Sequence, residues 1–342
     1  MKQSLVKSCL LILIYCQAIT ACGDSNSYTH RRSQFLMGTL VEISTYEKNE
    51  EIAQETIQKA FKEIQRLESL MSTHIPGSEV SQINQAAGKT PVTVSKEVFE
   101  VIERAIYWAE KTQGAFDITI GPAQELWNFD APSLPSKISI DNAVAKINYR
   151  NIQLGEQNIF LPEIGMKLHL GAIAKGYAVD KAVQVLKENK ILNALINAGG
   201  DLKAIGNRSD KYPWKIGLQH PRKPESILAS FSISEKAVAT SGDYQKYFEL
   251  DGKRYHHILD PKTGYPFSDS MSATVIAKSV MDADALSTAL FVLGQKKGAE
   301  LLDSLTEIEG IHVNAKGEIS TSKNISSIKD FSLKAFKEDI AH

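Results

Sequence analysis

The chain has 342 residues, of which 43% are hydrophobic, so it is long enough for about two domains or for one large domain with a sizeable core. A net charge of −1 provides no overall field that would recruit nucleic acid. All three cysteines, Cys9, Cys16 and Cys22, lie near the N-terminus, so the rest of the chain can form neither an internal disulfide nor a cysteine-based zinc site.

The first residues have the pattern of an export signal. Lys2 and Lys7 flank the start of an apolar segment whose core, residues 10–14, is too short to span a bilayer comfortably. Residues 19–22, Ile-Thr-Ala-Cys, resemble a bacterial lipobox, which implies cleavage before Cys22 and lipidation of its thiol and amine. An ordinary signal peptide with a chance cysteine is the alternative. We therefore expect a signal peptide at 1–21 and a polar tether at 22–33 that links a lipid anchor to the fold.

The predicted elements begin with a strand within residues 34–46, where β-forming residues alternate with polar ones. Apolar residues at spacings of three and four predict an amphipathic helix over 49–71. A loop over 72–88 precedes a second helix, which Ser95 can cap and which stops at Gly114.

The middle of the chain is richer in strands. Short strands are predicted over 151–170, a helix over 171–186, a strand with a glycine-rich turn over 195–201, and mostly strands over 214–276. A buried helix around Asp284 that ends at Gly294, another helix over 295–304 and a closing pair of strands complete the prediction.

Because strands often follow one another without an intervening helix, this order favours an α+β fold with mixed, largely antiparallel sheets and packed helices over a doubly wound sheet. The sequence contains no G-x-G-x-x-G after a strand, no G-x-x-x-x-G-K-[ST] loop and no H-E-x-x-H, so a nucleotide would be bound outside those schemes. We place one folded domain at 34–325 and a C-terminal tail at 326–342.

Asp284 and Thr288 form a candidate metal site. They are four residues apart on a predicted helix and therefore lie on one face of it. Carboxylate and hydroxyl oxygens suit Mg²⁺, which proteins usually hold by one or two side chains together with substrate phosphates. Asp282 and Asp284 would also favour the start of this helix for electrostatic reasons alone, and the pattern leaves both interpretations open.

Two further segments carry possible catalytic or binding residues. Residues 255–266 predict a strand that ends in a tight turn at Pro261 and Gly264. A histidine before such a turn can face a cleft and act as a general base, although a half-buried, satisfied histidine is the commoner case. At 168–176, small residues and a helix N-terminus would let an anion such as phosphate approach the backbone beside Lys175, which is otherwise a solvated charge.

Taken in order, seven motifs resemble the ApbE family, whose members are FAD:protein FMN transferases and often periplasmic lipoproteins. The resemblance runs over about residues 34–325, nearly the whole of the expected mature chain. The motifs are Met37-Gly38-Thr39, Ala115-Phe116-Asp117, AKGYAVD at 174–180, NAGGD at 197–201, TSGDY at 240–244, HILDPxTG at 257–264 and ADALSTA at 283–289.

The resemblance implies that FAD lies in a cleft with Mg²⁺ on its pyrophosphate. It implies that the enzyme releases AMP and esterifies FMN to a threonine or serine hydroxyl of an acceptor, a flavoprotein subunit of a redox-driven membrane complex. Asp284, Thr288 and the backbone carbonyl of Ala172 fall at metal-ligand positions, and His257 falls at the position of the base that takes the acceptor proton. The positions that contact the flavin nucleotide fall on Met37, Ala115, Phe116, Asp117, Lys175 and Ile258.

Two candidate cofactor-binding residues depart from the family's commoner pattern. His74 stands where tyrosine or tryptophan is frequent, and imidazole offers less area for stacking on a ring of the cofactor. His169 stands where aspartate is common, which removes a possible hydrogen bond to FAD. Both histidines are kept as candidates for FAD binding.

Two other functions would use the same predicted residues. A Mg²⁺-dependent FAD pyrophosphatase would use water in place of the acceptor hydroxyl and would give FMN and AMP. A non-catalytic FAD-binding lipoprotein would need neither metal nor base, so Asp284, Thr288 and His257 argue against it. We expect a transferase that is anchored by lipid in the bacterial cell envelope, faces the periplasm and binds no nucleic acid.

Overall fold

A computed structural model of the protein describes residues 28–208 and 212–334. The predicted signal peptide, Cys22 and residues 335–342 of the predicted tail lie outside these ranges. The domain predicted at 34–325 falls within them apart from residues 209–211. In the described ranges, no helix has both the length and the apolar character needed to cross a membrane.

Helices and strands are interspersed along the described chain. The helices are α1 (Glu50–Met71), α2 (Glu79–Ala86), α3 (Lys96–Lys111), α4 (Gly121–Gln124), α5 (Lys137–Val144), α6 (Ala174–Glu188) and α7 (Val280–Ser304), with 3₁₀ turns at Tyr149–Asn151 and Ile325–Ser327. The strands are β1 (Thr29–Leu36), β2 (Thr39–Tyr46), β3 (Val92–Thr93), β4 (Gln153–Leu154), β5 (Asn158–Phe160), β6 (Ala194–Ala198), β7 (Asp201–Ile205), β8 (Trp214–His220), β9 (Lys223–Ile233), β10 (Ala237–Gly242), β11 (Tyr247–Leu250), β12 (Lys253–His256), β13 (Ser270–Ala277), β14 (Glu309–Asn314), β15 (Ile319–Thr321) and β16 (Ser332–Leu333).

An eight-stranded sheet, ordered β1-β2-β6-β7-β10-β13-β14-β15, organises the domain. Its neighbouring strands pair antiparallel. Small sheets β16-β9-β8 and β3-β5-β4 and the hairpin β11-β12 complete the β-structure of the described chain. The architecture confirms the predicted α+β class with largely antiparallel sheets.

Because successive side chains of a strand point to opposite faces, the large sheet contributes to a separate hydrophobic core on each of its two faces. Ala237 and Ala239 of β10 face the helices and join the core that they form with α1, α3, α6 and α7. Val238, between them, faces the opposite way and joins Trp214 and Phe231 of the three-stranded sheet that covers the other face. The large sheet is therefore covered by helices on one side and by a second sheet on the other.

Local signals specified the long helices well. Helix α1 begins after Asn49, whose side chain accepts a hydrogen bond from the Ile52 N–H, and its apolar residues, such as Phe61, are fully buried. Ser95 caps α3 in the same way, by accepting from the Val98 N–H. Each fully buried large apolar side chain contributes about 1.5–3 kcal/mol, so the periodic face of α1 is a major source of stability.

Two sequence predictions are wrong in detail. The single strand predicted within 34–46 is part of the hairpin β1–β2, which turns at Met37 and Gly38. Both residues have positive φ, 51° and 73°, which is the backbone of a type I′ turn, and methionine rarely adopts it. The loop predicted over 72–88 contains α2, a short helix capped by Ser78, which has too few turns to show a clear period.

The large sheet opens between β7 and β10. These strands pair only at Ala237 with Lys203 and at Val238 with Leu202. Beyond that point Asp201 and Thr240 are not part of the β7–β10 ladder, and the Asp201 carboxylate lies beside the backbone of Thr240. The opening faces the start of α6 and the first half of α7. Residues of β7 and β10 therefore line the same space as residues of these two helices.

Asp180 of α6 holds the N-terminus of α7. Its carboxylate accepts hydrogen bonds from the Ser279 hydroxyl (2.8 Å) and from the backbone N–H groups of Val280 (3.1 Å) and Met281 (3.0 Å). Helix N-terminal N–H groups have no partner within the helix, so an external carboxylate satisfies them. The first half of α7 is thereby fixed to α6.

We expect Asp180→Ala to lower the free energy of unfolding by about 1–3 kcal/mol, because two helix-end N–H groups and a hydroxyl lose their acceptor. The measurement is urea denaturation of the full chain. Asp141→Ala is the control, since Asp141 pairs with Lys137 on the exposed face of α5 and its loss should change stability by less than about 0.5 kcal/mol. Equal effects of the two substitutions would contradict the role given to Asp180.

Candidate active site

A cavity of about 330 Å³ lies where the start of α6, the first half of α7, the end of β10 and the segment after β12 meet. It brings together nearly all the residues that the sequence singled out. Met37 is the exception: it lies in the β1–β2 turn, donates its N–H to Glu68 and is not among the residues that line this cavity. The predicted residues that do line it are His74, Ala115, Phe116, Asp117, His169, Ala172, Lys175, His257, Ile258, Asp284 and Thr288.

The two acidic residues at the start of α7 have different environments. Asp282 accepts hydrogen bonds from Arg104 (2.6 and 2.9 Å) and from the indole N–H of Trp108 (2.7 Å), so it joins α7 to α3. Asp284 is buried and faces the cavity, with Thr288 one turn further along. Asp282 therefore links α7 to α3, whereas Asp284 belongs to the site.

Close packing of α6 on α7 positions Asp284. The backbone N–H of Gly176 donates to its carboxylate at 3.1 Å. A side chain at Gly176 would place its Cβ 2.4 Å from the carbonyl oxygen of Val280, closer than real Cβ contacts come. Glycine is thus required for the helices to approach far enough for this hydrogen bond.

Lys175 lies between two buried carboxylates. Its ammonium is 3.1 Å from Asp201 and 3.4 Å from Asp284, and it donates to the carbonyl of Gly171 at 2.8 Å. Burial, with repulsion from Asp201, raises the pKa of Asp284 to about 7. The carboxylates keep the pKa of Lys175 above its ordinary value despite burial. Two carboxylates share one ammonium, so a cation would be favoured in this part of the cavity.

The oxygen atoms around Asp284 fit a hard divalent cation. Thr288 supplies a hydroxyl, which lies 3.1 Å from the Ser241 hydroxyl. In a regular helix the N–H of Gly176 would donate to the carbonyl of Ala172, four residues earlier. Here it donates to Asp284, so the Ala172 carbonyl can face a ligand. Among the described residues there is no group of three or more His, Cys, Asp or Glu side chains with metal-binding geometry. Carboxylate, hydroxyl and carbonyl oxygens with substrate phosphates are the combination that Mg²⁺ accepts.

The neighbouring histidines His256 and His257 have separate roles. Both ring nitrogens of His256 are engaged, Nε2 with the carbonyl of Phe267 (2.9 Å) and Nδ1 with the N–H of Ile258 (3.2 Å). The ring of His257 lines the cavity, and its Nδ1 lies 3.2 Å from the carbonyl of Lys246. Donation from Nδ1–H to that carbonyl leaves Nε2 as an acceptor for a substrate proton.

The charge state of His257 suits a base. Burial, together with the nearby His256 and the cations Lys175 and Lys246, lowers its pKa to about 4. The imidazole is therefore neutral near pH 7 and can accept a proton. Of the two neighbouring histidines, only His257 lines the cavity, with one ring nitrogen left to accept a proton.

Asp117 shapes the cavity wall. One carboxylate oxygen accepts hydrogen bonds from the Thr119 N–H and hydroxyl (2.8 and 2.7 Å), and the other accepts from the Tyr149 N–H at 3.0 Å. These bonds fix the loop that carries Ala115 and Phe116. The structure thus gives Asp117 an architectural function in addition to its place in the lining.

The two departures from the family pattern both line the cavity. The His169 ring packs over Gly171, where an added Cβ would lie 2.6 Å from the ring. Burial, with the nearby His74 and Lys175, lowers the pKa of His169 to about 4, so this imidazole is neutral and can donate one hydrogen bond and accept one. His74 lies on the same cavity, so both histidines are in place to contact a ligand.

Sequence reasoning missed several lining residues. Asp201 and Ser241 lie within motifs recognised above, although neither residue was given a role. Trp127 was missed altogether; its indole stacks on Tyr255 with ring centroids 5.8 Å apart and donates to the Gly264 carbonyl at 2.9 Å. Only its position shortly after the Ala-Phe-Asp motif hinted at such a role, because it belongs to no helical or strand period.

Comparison with known proteins agrees with this geometry. The sequence profile of the ApbE family matches residues 37–312. The FAD:protein FMN transferase of Klebsiella pneumoniae (strain 342) is 37% identical over 306 residues, which cover 88% of this chain and 93% of the relative. The FAD:protein FMN transferase of Treponema pallidum (strain Nichols) is 31% identical over 339 residues, which cover 92% of this chain and 93% of the relative.

Solved structures show the same fold. A crystal structure of the ApbE protein of Thermotoga maritima superposes with a TM-score of 0.81 at 35% identity, covering 88% of this chain and 99% of that one. The flavin transferase ApbE of Vibrio cholerae gives a TM-score of 0.78 at 28% identity, with coverages of 88% and 99%. The structural similarity extends over 88% of this chain in both comparisons.

Proposed function

This chain belongs to the ApbE family, and on that premise we propose that it transfers FMN from FAD to a hydroxyl group of an acceptor protein and releases AMP. The observation that supports the proposal most is the meeting of two features in one cavity. Oxygen ligands at Asp284, Thr288 and Ala172 lie on one side of it, and a neutral imidazole at His257 with a free acceptor nitrogen lies on another. A phosphoryl-transfer enzyme needs both of these features.

The lining suits a flavin nucleotide. Ala115, Phe116, Ile258 and Trp127 give the cavity apolar and aromatic walls, which a planar ring system can contact. Gln124 donates its amide to the carbonyl of His257 at 3.0 Å and so keeps the base in position. The protein thus offers an apolar part for the flavin and a polar part, beside Asp284, for the phosphates.

In the proposed reaction the acceptor oxygen forms a bond to the phosphorus of the FMN half, and the bond from that phosphorus to the bridging pyrophosphate oxygen breaks. AMP leaves with the bridging oxygen, and the hydroxyl proton passes to Nε2 of His257. A threonine or serine hydroxyl is a weak nucleophile unless a base within hydrogen-bond reach takes its proton. Mg²⁺, when bound, would neutralise the charge that develops on the pyrophosphate.

The experiment that tests this function uses the full chain with FAD, Mg²⁺ and, in turn, the proteins to which the Klebsiella and Treponema relatives transfer FMN. We expect each acceptor to gain the mass of one FMN while AMP is released. Asp284→Ala should remove Mg²⁺-dependent transfer, because it deletes the buried carboxylate of the site. Control reactions contain EDTA.

Other outcomes have distinct meanings. Release of AMP and free FMN, with both acceptors unmodified, would favour an FAD pyrophosphatase in which water replaces the acceptor hydroxyl. Transfer by Asp284→Ala at the wild-type rate would contradict the metal assignment.

The lowered pKa of His257 predicts the pH dependence. A group whose folded pKa is about 4 stays neutral at higher pH, and a nearby bound cation would lower that pKa further. We expect kcat/KM at saturating Mg²⁺ to be steady as the pH falls from about 8 to about 6, where an ordinary histidine of pKa ~6.5 would lose activity. His257→Asn should slow transfer by about 10²–10⁴-fold and leave FAD affinity unchanged. An acid limb centred near pH 6.5 in the wild type would contradict this assignment.

We also propose that a lipid on Cys22 anchors the enzyme in the bacterial cell envelope, facing the periplasm, and that its acceptor is a flavoprotein subunit of a redox-driven membrane complex. The lipobox-like residues 19–22 support the anchor. An enzyme that a short polar tether attaches to the bilayer would be close to acceptor proteins at the same membrane surface.

The anchor predicts a mass difference. In bacterial cells, the wild-type chain should carry a diacylglyceryl group and an N-acyl chain on Cys22, and Cys22→Ala should yield a chain that carries neither. Intact-mass measurement of membrane-extracted protein tests this, with Cys16→Ala as the control that should leave the modification unchanged. An identical lipid signal from Cys22→Ala would refute the anchor.

A further inference from the structure

A second cavity, of about 760 Å³, lies on the opposite face of the large sheet, beneath the three-stranded sheet β16-β9-β8. It is lined by the outward-facing residues of β2, β10 and β13, including Val238 and Thr274, and by Leu218 of β8. None of the residues assigned above to the metal, the base or the flavin lies in it. The proposed chemistry therefore leaves this cavity unexplained.

The two cavities meet at the point where the sheet opens between β7 and β10. Gly199, Thr240 and Gln245 line both of them. On this edge of β10 the backbone of Thr240 is not paired with β7, and its carbonyl lies 3.5 Å from the amide nitrogen of Gln245. Gln245 is exposed, and 3.5 Å is a weak hydrogen bond. A segment of another protein could replace Gln245 and bind the strand edge in its place.

The lining of the second cavity suits an uncharged segment. Its arginines are already paired: Arg222 makes two hydrogen bonds to Asp243 (2.7 and 2.6 Å), and Arg254 binds Glu249 at 3.0 Å. Glu42 is paired with Arg31. A charged side chain entering this space would lose water without gaining a partner of its own. Among the described residues, the remaining polar lining contains no carboxylate, lysine or further arginine, and it includes Thr39, Asn197, Gln219, Ser272 and Thr274.

Apolar side chains are exposed at the edge of the second cavity. Leu40 lines it and is 56% exposed, and Tyr247 lines it and is 41% exposed. Phe35, which is opposite Leu40 in the β1–β2 hairpin, is 71% exposed. Apolar residues that are clustered and exposed beside a cavity are typical of a surface that binds a protein partner.

We propose that the second cavity is the acceptor channel: an extended, uncharged segment of the acceptor protein binds along it, and the hydroxyl to be modified passes between Gly199, Thr240 and Gln245 to reach FAD in the first cavity. This inference rests on the proposed transferase function. Its main support is that the two cavities share the lining residues Gly199, Thr240 and Gln245, because the reaction must admit a dinucleotide and a protein segment to one phosphorus atom. The bonds made and broken are those given above.

A steady-state comparison tests the acceptor channel, with the full chain, FAD, Mg²⁺ and the protein acceptor of the Klebsiella pneumoniae relative. Leu40→Asp places a charge at the edge of the second cavity and should raise the KM for the acceptor about tenfold or more, while kcat and FAD affinity stay at wild-type values. Leu192→Asp is the matched control: Leu192 is 60% exposed and lines neither cavity, so all three quantities should be unchanged.

A second measurement locates the acceptor directly. The photoreactive residue p-benzoylphenylalanine, introduced in place of Leu40, should crosslink to the acceptor, and the same residue in place of Leu192 should not. Wild-type kinetics for Leu40→Asp together with no crosslink from position 40 would overturn the acceptor channel and leave the transferase function intact. If the wild-type chain modifies neither the Klebsiella nor the Treponema acceptor, the transferase function fails, and the acceptor channel fails with it.

Discussion

The contact between the start of α6 and the first half of α7 is the constraint on which the site depends. It is made by Gly176, which lets the helices touch, and by Asp180, which binds the N-terminus of α7. Through it, Asp284 is placed where the backbone of α6 and the ammonium of Lys175 can reach its carboxylate. Neither helix alone has this site; the carboxylate, the carbonyl of Ala172 and the ammonium come together only when the two helices dock.

This arrangement is costly for stability and useful for binding. A carboxylate as buried as Asp284 loses the hydration that favours its charged form, and the nearby Asp201 adds repulsion. Lys175 relieves only part of this cost, because it is shared by the two acids. A bound cation would relieve the rest, so the free energy lost by holding Asp284 in the interior would contribute to the affinity for a cation.

The sequence predicted those parts of the fold that local rules determine. The periodic apolar face of α1, the cap of α3 at Ser95 and the break of α7 at Gly294, where φ is 69°, were all visible in the residues. The turn at Met37 was not, because the hairpin forces a left-handed backbone on a residue type that seldom adopts it. Ordered motifs identified the family, and the candidate residues that they suggested, Asp284, Thr288 and His257, lie in one cavity.

What could not be predicted depends on how distant segments pack. No local pattern shows that Asp201 would share Lys175 with Asp284, since these residues come from a strand and two helices. The wall at Trp127 and the second cavity likewise arise where separate elements meet. Side-chain identity at single positions also leaves roles open: apart from the family motif, only the directions of the two neighbouring rings distinguish His256 from His257.

Those two rings have a consequence for how this segment can change. Successive residues of an extended chain point to opposite sides, so the buried imidazole and the cavity-facing imidazole alternate strictly with position. Inserting or deleting one residue between Arg254 and the turn after Leu259 would turn the side chains beyond that point to the opposite side of the segment. The length of this stretch is therefore under tighter constraint than most of its individual side chains, and insertions in related sequences should be accommodated elsewhere, in the loop between β11 and β12 or in the surface segment around residues 130–136.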